Sequence, residues 1–538
     1  MNHTMATPAA DTSDACRLIH FIGGATALPA NASPAALGFK AWNLARMAAL
    51  GLPVPPAFVL GTGWCGQPEA TSWLWQRPLQ ELEHATGLGL GDIRRPLLLS
   101  VRSGAPVSMP GMMETLLNIG LTEATLPGMV RLTGHPRLAW DAYRRLIAGY
   151  GEVVAGIDSE HFEADLDAVR EDRDERELDF AALREVACRH LTTYAREAGE
   201  AFPQDAQVQL HEAIAAVFAS WHSAKAHAYR ELHGLSHAMG TAVTVQRMVF
   251  GNAGGLSGSG VGFTRNPSSG EPLPWVDFLF NAQGEDVVSG RRSAHGHDEL
   301  ASVAPQVWDA LLQATEQLET TFGDMQDFEF TVQNGELFLL QTRTGKRTPQ
   351  AAARIALDLG EQGVIAPEVV LERTRDLDAR ALALRVVANT GGQPLTTLAR
   401  AASAASGVVC GEIALDEAQV RARKAAGAQV VLVRRDAETA DIAALDLADG
   451  LLTQRGARTS HAAVVARQLG KVCLVGCEGL VIDEHSRTLS IGSLALHEGD
   501  TITLDGNQAV VYAGTTHVVE QVPEELLERL ERLRRSCG

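Results

Sequence analysis

Residues 451–470 read LLTQRGARTSHAAVVARQLG and join a short apolar strand, a polar turn and an apolar helix that opens with His461. Thr459 and Ser460 are typical helix caps, because their hydroxyls accept hydrogen bonds from the free N–H groups of a first helical turn. The segment therefore predicts a strand–turn–helix unit with a histidine at the start of its helix.

His461 has a position suited to phosphate chemistry. The free N–H groups and the dipole at the start of a helix favour an anion, and a neutral imidazole is a competent nucleophile near neutral pH. Arg455 and Arg458 carry guanidinium groups that suit bidentate binding of a phosphoryl oxygen. His461 is thus a candidate phosphate acceptor, although for an isolated TSH triplet a polar residue that completes a helix cap is the more common case.

Alternating strands and helices surround this unit. GVVCGEIAL, QVVLVRR, GLLTQ and VCLVGC read as strands, the intervening segments read as helices, and TLSIG and TITLDGNQAVVYAG close the pattern. This alternation predicts a small α/β domain over residues 399–516. We expect a helical linker over residues 351–398 and a C-terminal helix over residues 517–538.

Composition limits the class of protein. The chain has 538 residues, a net charge of −19 and a 46% hydrophobic fraction, which together indicate several globular domains. The acidic charge disfavours nucleic acid or an anionic membrane as a partner. Seven scattered cysteines without CxxC pairs favour reduced thiols, and with no signal peptide or long apolar run we expect a cytoplasmic location.

A second segment, LLLSVRSGAPVSMPGMMETLLNIGL at residues 97–121, contains small residues that let backbone N–H groups close around phosphate oxygens, although it matches neither the GxxxxGK(S/T) nor the GxGxxG pattern. It predicts an apolar strand that runs into Arg102, a loop of small residues through Gly111, and a helix that starts near Met113. Lys40 stands before another predicted helix, where its ammonium group either reaches an anionic ligand or is simply solvated.

The segment GTAVTVQRMVF at residues 240–250 predicts a strand. Five glycines follow among residues 251–260, a density that favours a mobile lid near a ligand, with a flexible hairpin as the alternative.

The segment DMQDFEFTVQNGELFLLQTRTGKRT at residues 324–348 predicts a hairpin around the Asn334–Gly335 turn. Asp327 and Glu329 are two residues apart and share a strand face, as do Gln341 and Arg343. Adjacent carboxylates favour a cation between them, and hard oxygen ligands suit Mg²⁺ that carries nucleotide phosphates.

Taken together, these segments resemble the pyruvate phosphate dikinase family from about residue 18 to about residue 515. The small and polar residues 1–17 predict a disordered tail. For the rest of the chain the resemblance implies a mixed α/β (α+β) protein. An ATP-grasp nucleotide-binding domain over residues 18–350, with a helical insertion at about 122–235, then precedes a swivelling phosphohistidine domain over residues 399–516.

The resemblance also implies a reaction cycle, in which ATP pyrophosphorylates the histidine and the terminal phosphoryl group passes to inorganic phosphate. AMP, pyrophosphate and phosphohistidine remain. It implies ATP bound with Mg²⁺ and is compatible with a monovalent cation and a homodimer. The implied catalytic residues are His461, Arg102 and Arg343; the implied ATP-binding residues are Lys40, Arg102, Thr241, Gln246, Gln341, Arg343, Gly111 and Met112; and the implied metal ligands are Asp327 and Glu329.

The sequence departs from the family pattern around Lys40, before His461, and in lacking a counterpart of the family's C-terminal barrel. Around Lys40 it reads LGFKAWN where the family usually has glycines on both sides, and before His461 it reads RGARTSH where the family has RGGMTSH. Thr459 matches a threonine that plant members use for regulation by phosphorylation. The family's C-terminal barrel, which binds pyruvate or phosphoenolpyruvate, has no counterpart here, so we expect a separate acceptor-binding subunit. A phosphohistidine regulatory or interaction protein is the alternative function.

Overall fold

The computed structural model describes residues 17–24, 26–67, 74–107, 109, 112–171, 173–288, 297–388, 396–436, 441–458, 460–477, 479–483 and 485–537. The chain divides into two compact units, Met1–Gly254 with Phe338–Gln341 and Gly255–Leu337 with Thr342–Gly538. Among the described residues, no helix has both the length and the apolar character needed to cross a membrane.

The first unit contains an antiparallel five-stranded sheet in the order β1-β2-β5-β3-β4. One sheet face carries Phe58, Leu99, Val101 and Val243, which belong to a large apolar core. The opposite face carries Ser100, Thr244 and Gln246 on neighbouring strands, and these polar side chains are also buried. The strands are β1 (Ile19–Ile22), β2 (Ala57–Leu60), β3 (Leu99–Gly104), β4 (Thr115–Ile119) and β5 (Ala242–Arg247).

Several helices of the first unit cover the apolar sheet face and contribute to its core. Asp158, Asp179 and Asp205 each cap a helix through a carboxylate that accepts N–H hydrogen bonds of the first turn. The predicted helical insertion is therefore encoded by local capping signals as well as by apolar periodicity. The helices are α1 (Pro34–Leu37), α2 (Phe39–Ala49), α3 (Gln76–Thr86), α4 (Leu126–Thr133), α5 (Pro136–Val153), α6 (Ser159–Arg170), α7 (Phe180–Ala198), α8 (Ala206–Ala219) and α9 (Ala224–Leu232).

The second unit begins with a four-stranded sheet in the order β7-β6-β8-β9. Buried Arg265 follows β6, and its guanidinium group pairs with Glu319 and Asp358, which tie two helices to this end of the sheet. The elements are β6 (Gly258–Phe263), β7 (Trp275–Phe280), α10 (Gly284–Val288), α11 (His297–Val303), α12 (Pro305–Phe322), β8 (Gln326–Gln333), β9 (Glu336–Thr344), α13 (Pro349–Glu361) and α14 (Pro367–Arg373).

The predicted α/β domain around His461 is built on an eight-stranded sheet in the order β11-β21-β20-β13-β14-β15-β16-β12. The four strands β13 to β16 are parallel neighbours, as expected for strands linked by helices, and separate apolar cores are built from this sheet. The elements are β11 (Thr397–Arg400), β12 (Ala402–Ala405), β13 (Val408–Ala414), α15 (Glu417–Ala425), β14 (Val430–Arg434), α16 (Ile442–Leu447), β15 (Gly450–Thr453), α17 (His461–Gln468), β16 (Val472–Val475), β20 (Thr501–Asp505) and β21 (Val510–Ala513).

The segments on either side of this domain contain helices, as expected, and each also contributes one short strand that was not expected. The strand Leu384–Val387 (β10) pairs antiparallel with Val518–Gln521 (β22), because both are short β-branched runs that satisfy each other's backbone groups. The C-terminal helix Glu524–Cys537 (α18) packs through Leu526 and Leu530 on the core formed with α13 and α14. A small three-stranded sheet is formed by β17 (Leu480–Asp483), β18 (Thr488–Ile491) and β19 (Leu494–His497).

Candidate active site

The hairpin β8–β9 carries the carboxylates that the sequence singled out. Its turn places Asn334 and Gly335 at φ values of 53° and 81°, the left-handed conformation that an Asn-Gly turn requires. Phe328 is fully buried on one face of β8, while Asp327 and Glu329 are only partly buried on the other. The predicted pair of carboxylates on one strand face is confirmed.

Arg343 on β9 joins this pair, since its Nε lies 2.8 Å from Oδ2 of Asp327. Burial raises the pKa of the Asp327 carboxyl group, Arg343 opposes this shift, and Glu329 adds to it. Burial alone would lower the pKa of Arg343, but the charge and hydrogen bond of Asp327 raise it. The Arg343 guanidinium group therefore keeps its positive charge beside the carboxyl groups of Asp327 and Glu329.

The glycine-rich segment has a different role from the mobile lid that we predicted. Gly258 and Gly260 lie in the buried strand β6, where a Cβ atom would come within 2.2 Å of the Phe278 ring and 2.4 Å of the Phe330 ring. The lid prediction is wrong for these two glycines, because their aromatic neighbours pack so closely that no side chain fits at either position. Residues 251–256 form turns between β5 and β6.

A third carboxylate, Asp277, lies on the same sheet face and was missed by sequence reasoning. Asp277 on β7 is opposite Val261 on β6, and Val261 is opposite Glu329 on β8. Its side chain is 1% exposed. The available signal was an acidic residue inside the apolar strand WVDFLF, where burial requires a partner.

The helix α17 begins with His461, as predicted. The hydroxyl of Ser460 accepts a hydrogen bond from the N–H of Ala463 at 3.4 Å, which confirms Ser460 as the cap. Thr459 and Gly111 lie outside the described residues. Ala462, Ala463 and Ala466 pack α17 against its own domain.

Two arginines bring this histidine domain onto the face of the four-stranded sheet that carries the carboxylates. Arg467 on α17 lies 5.3 Å from the centre of the Phe263 ring and 5.1 Å from that of Trp275. Phe263 is directly opposite Asp327 in the sheet. Burial lowers the pKa of Arg467 to about 10, so it keeps its charge at neutral pH.

Arg458 makes a contact that differs from the phosphoryl binding suggested by the sequence. Its Nε lies 2.9 Å from Oδ1 of Asp277, and its Nη2 donates to the carbonyl oxygen of Val276 at 2.9 Å. The guanidinium group also covers the Trp275 ring at 4.3 Å. Arg458 is therefore engaged by the four-stranded sheet.

The remaining candidate residues belong mainly to the first unit. Gly38 precedes α2 with φ at 74°, and a Cβ there would lie 1.9 Å from the carbonyl oxygen of Gly104. The N–H of Gly104 in turn donates to Oγ1 of Thr241 at 3.1 Å. Exposed Lys40 and buried Thr241 thus both lie beside Gly104 at the end of β3, since a Cβ atom on Gly104 would lie 3.8 Å from that of Lys40.

Arg102 and Gln246 lie on the polar face of the first sheet, where Arg102 is opposite Thr244 and Gln246 is opposite Ser100. The Nε2 of Gln246 donates to the carbonyl oxygen of Pro55 at 3.0 Å, which fixes the orientation of this side chain. Met112 is half-buried in a small apolar cluster. The segment after it is the strand β4, so the predicted helix near Met113 is wrong.

Mg²⁺ fits the donor set on β8. Asp327 and Glu329 offer hard carboxylate oxygens and two negative charges, of which Arg343 balances one. A second group, His227, Glu231 and His237, has ligand atoms within 4.8 Å of one another in the first unit. Arg230 donates to Nδ1 of His237 at 3.1 Å, which leaves the proton of the neutral ring on Nε2 and disfavours metal binding there.

Comparison with known proteins gives the family. Residues 77–299 and 298–362 match the family described as "Pyruvate phosphate dikinase, AMP/ATP-binding domain", and residues 427–509 match "PEP-utilising enzyme, mobile domain". The chain is 39% identical over 513 residues to the pyruvate, phosphate dikinase of Clostridium symbiosum, which covers 92% of this chain and 58% of the relative. It is 40% identical over 501 residues to that of Rhizobium meliloti (strain 1021), covering 89% and 56%.

The pyruvate, phosphate dikinase 1, chloroplastic, of Zea mays is 40% identical over 489 residues, covering 89% of this chain and 52% of the relative. The chain thus spans about half the length of the curated relatives it matches. The nucleotide-domain match alone includes more than half of the chain. This protein therefore belongs to the pyruvate phosphate dikinase family.

Proposed function

We propose that this chain is an ATP-dependent dikinase component that phosphorylates itself on His461. The observation that carries the proposal is the arrangement within the second unit. The helix that begins with His461 is packed, through Arg467, on the sheet face that bears Asp327, Glu329 and Arg343.

In the proposed reaction, a ring nitrogen of His461 attacks the β-phosphorus of ATP. An N–P bond forms, the bond from that phosphorus to the oxygen shared with the α-phosphate breaks, and AMP leaves with the electron pair. Inorganic phosphate then takes the terminal phosphoryl group as pyrophosphate, which leaves one phosphoryl group on the histidine.

The residues supply positioning and charge more than covalent help, as phosphoryl transfer requires. Asp327 holds the guanidinium group of Arg343 beside the carboxylate pair, and we assign Arg343, Lys40 and Arg102 to the phosphates of ATP. Asp327 and Glu329 would hold Mg²⁺, which supplies charge neutralisation on the phosphates. Thr241, Gln246, Gln341, Met112 and Gly111 remain proposed nucleotide contacts.

We further propose that the phosphoryl group passes to pyruvate or another small acceptor bound by a separate subunit. We also propose a cytoplasmic location, on the basis of the scattered cysteines without CxxC pairs in the sequence.

The test is incubation of the purified chain with ATP, Mg²⁺ and inorganic phosphate, followed by analysis of both protein and products. The proposal predicts acid-labile phosphate on the protein with equal amounts of AMP and pyrophosphate, and none of these with His461→Ala. ADP as the nucleotide product would refute the dikinase reaction. Phosphohistidine that no acceptor subunit discharges would favour the alternative, a regulatory protein.

A further inference from the structure

Arg458 joins the histidine domain to the four-stranded sheet through three different interactions. It forms an ion pair with Asp277, donates to the carbonyl oxygen of Val276, and covers the Trp275 ring. The Asp277 side chain is 1% exposed and that of Arg458 19% exposed. We call this set of contacts, Arg458 with Trp275, Val276 and Asp277, the docking contact.

The docking contact is tied to the helix that begins with His461. The Nη2 of Arg467 donates to the carbonyl oxygen of Arg458 at 3.2 Å, and its Nε donates to the carbonyl oxygen of Ala404 at 2.8 Å. Both arginines also stack on the same Trp275 ring. The position of Arg458 is therefore coupled directly to that of α17.

The docking contact is also linked to the carboxylate pair. Asp277, Val261 and Glu329 are neighbours across three strands, as are Trp275, Phe263 and Asp327. Because a sheet is stiff in this direction, fixing Arg458 on β7 fixes where α17 lies relative to β8.

Separation of the two domains would expose Asp277 and Arg458 to water. A buried ion pair is costly when one partner is lost, but much of that cost disappears when the remaining charge can be hydrated. Removal of either partner therefore destabilises the docked arrangement more than it destabilises either domain.

We propose that Arg458 is a positioning residue that, through Asp277 and Trp275, holds the helix of His461 on the four-stranded sheet while the histidine is phosphorylated. This role rests on the proposed function. In this role Arg458 affects the rate at which ATP phosphorylates His461, and it does so without binding phosphate itself.

The test compares single-turnover rates of His461 phosphorylation at saturating ATP. Arg458→Met and Asp277→Asn are each expected to slow the reaction at least about tenfold, the factor that corresponds to about 1.4 kcal/mol. ATP affinity and thermal stability should stay close to those of the wild type. The matched control is Arg423→Met, which removes an ion pair with Glu412 inside the same domain and should leave the rate unchanged.

Two further variants distinguish positioning from general damage. The double variant Arg458→Met/Asp277→Asn should be about as slow as either single variant, and the charge swap Arg458→Asp/Asp277→Arg should recover part of the rate. Hydrogen exchange should increase in residues 460–470 of Arg458→Met and stay unchanged in β3.

Wild-type rates in Arg458→Met and Asp277→Asn would overturn the positioning role while leaving the proposed function intact. A double variant whose slowing equals the product of the two single effects would do the same. A wild-type protein that takes up no phosphate would instead overturn the proposed function, and this role with it.

Discussion

Replacement of Arg343 by methionine separates catalysis from folding most clearly. The Arg343 side chain is 38% exposed and pairs with Asp327, which is 14% exposed. Because the Arg343 guanidinium group is open to water on one side, and because Asp327 can take up a proton once its partner is lost, removal of the pair should cost only about 1–2 kcal/mol of folding free energy. A fixed donor aimed at phosphate oxygens is worth far more to the reaction, about 10²- to 10³-fold in rate.

The same replacement should change the pH dependence of the reaction. Burial raises the pKa of Asp327, and Arg343 lowers it. Without Arg343 the pKa of Asp327 rises further, so the carboxylate that is assigned to Mg²⁺ is lost at a higher pH. The acidic limb of the pH profile should therefore move upward in Arg343→Met.

The assay is the rate of acid-labile labelling of the protein from ATP across a pH series, with thermal unfolding measured on the same samples. Arg347→Met is the matched control, because Arg347 pairs with Asp324 at 2.6 Å near the same end of the hairpin. The control should lose stability and keep its labelling rate. Labelling of Arg343→Met at the wild-type rate with an unchanged pH profile would refute the assigned role.

Three further predictions concern the metal and the fold. Glu329→Gln should raise the Mg²⁺ concentration for half-maximal labelling by at least about tenfold, because mutation even of a residue that only supports a metal ligand lowers metal affinity by about that factor. An unchanged Mg²⁺ titration would show that Glu329 is not a metal ligand. Arg265→Met should destabilise the second unit by about 3–5 kcal/mol, because Glu319 loses its buried partner while Asp358 keeps only Arg529; unfolding at the urea concentration of the wild type would contradict this. Gly38→Ala should lower the thermal stability, since its Cβ would lie 1.9 Å from the carbonyl oxygen of Gly104; a normal melting temperature would contradict this packing.

The parts of the fold that sequence predicts well are those with local causes. The Asn334–Gly335 turn and the alternation of Asp327 and Glu329 with apolar neighbours specify the hairpin without reference to the rest of the chain. Ser460 identifies the start of the histidine helix for the same reason, since a cap acts within a single helical turn.

The parts that sequence predicts poorly depend on distant partners. Thr115–Ile119 has the apolar character of either a helix or a strand, and pairing with β3 decides for a strand. From the sequence alone, Gly260 is indistinguishable from a glycine of a mobile lid. Its actual neighbour, the Phe330 ring on β8, is known only from the fold. The role of Asp277 becomes clear only in the folded chain, because its partner Arg458 is distant in sequence.

The isotopic origin of the phosphoryl group on the protein tests the central claim most directly. The measurement uses ATP labelled at either the β- or the γ-phosphate, with Mg²⁺ and inorganic phosphate, followed by quantification of phosphohistidine at residue 461. The dikinase reaction predicts label from the β-phosphate at completion and none from the γ-phosphate, which leaves in pyrophosphate. Stable label from the γ-phosphate on His461, or no label from either, would contradict the account.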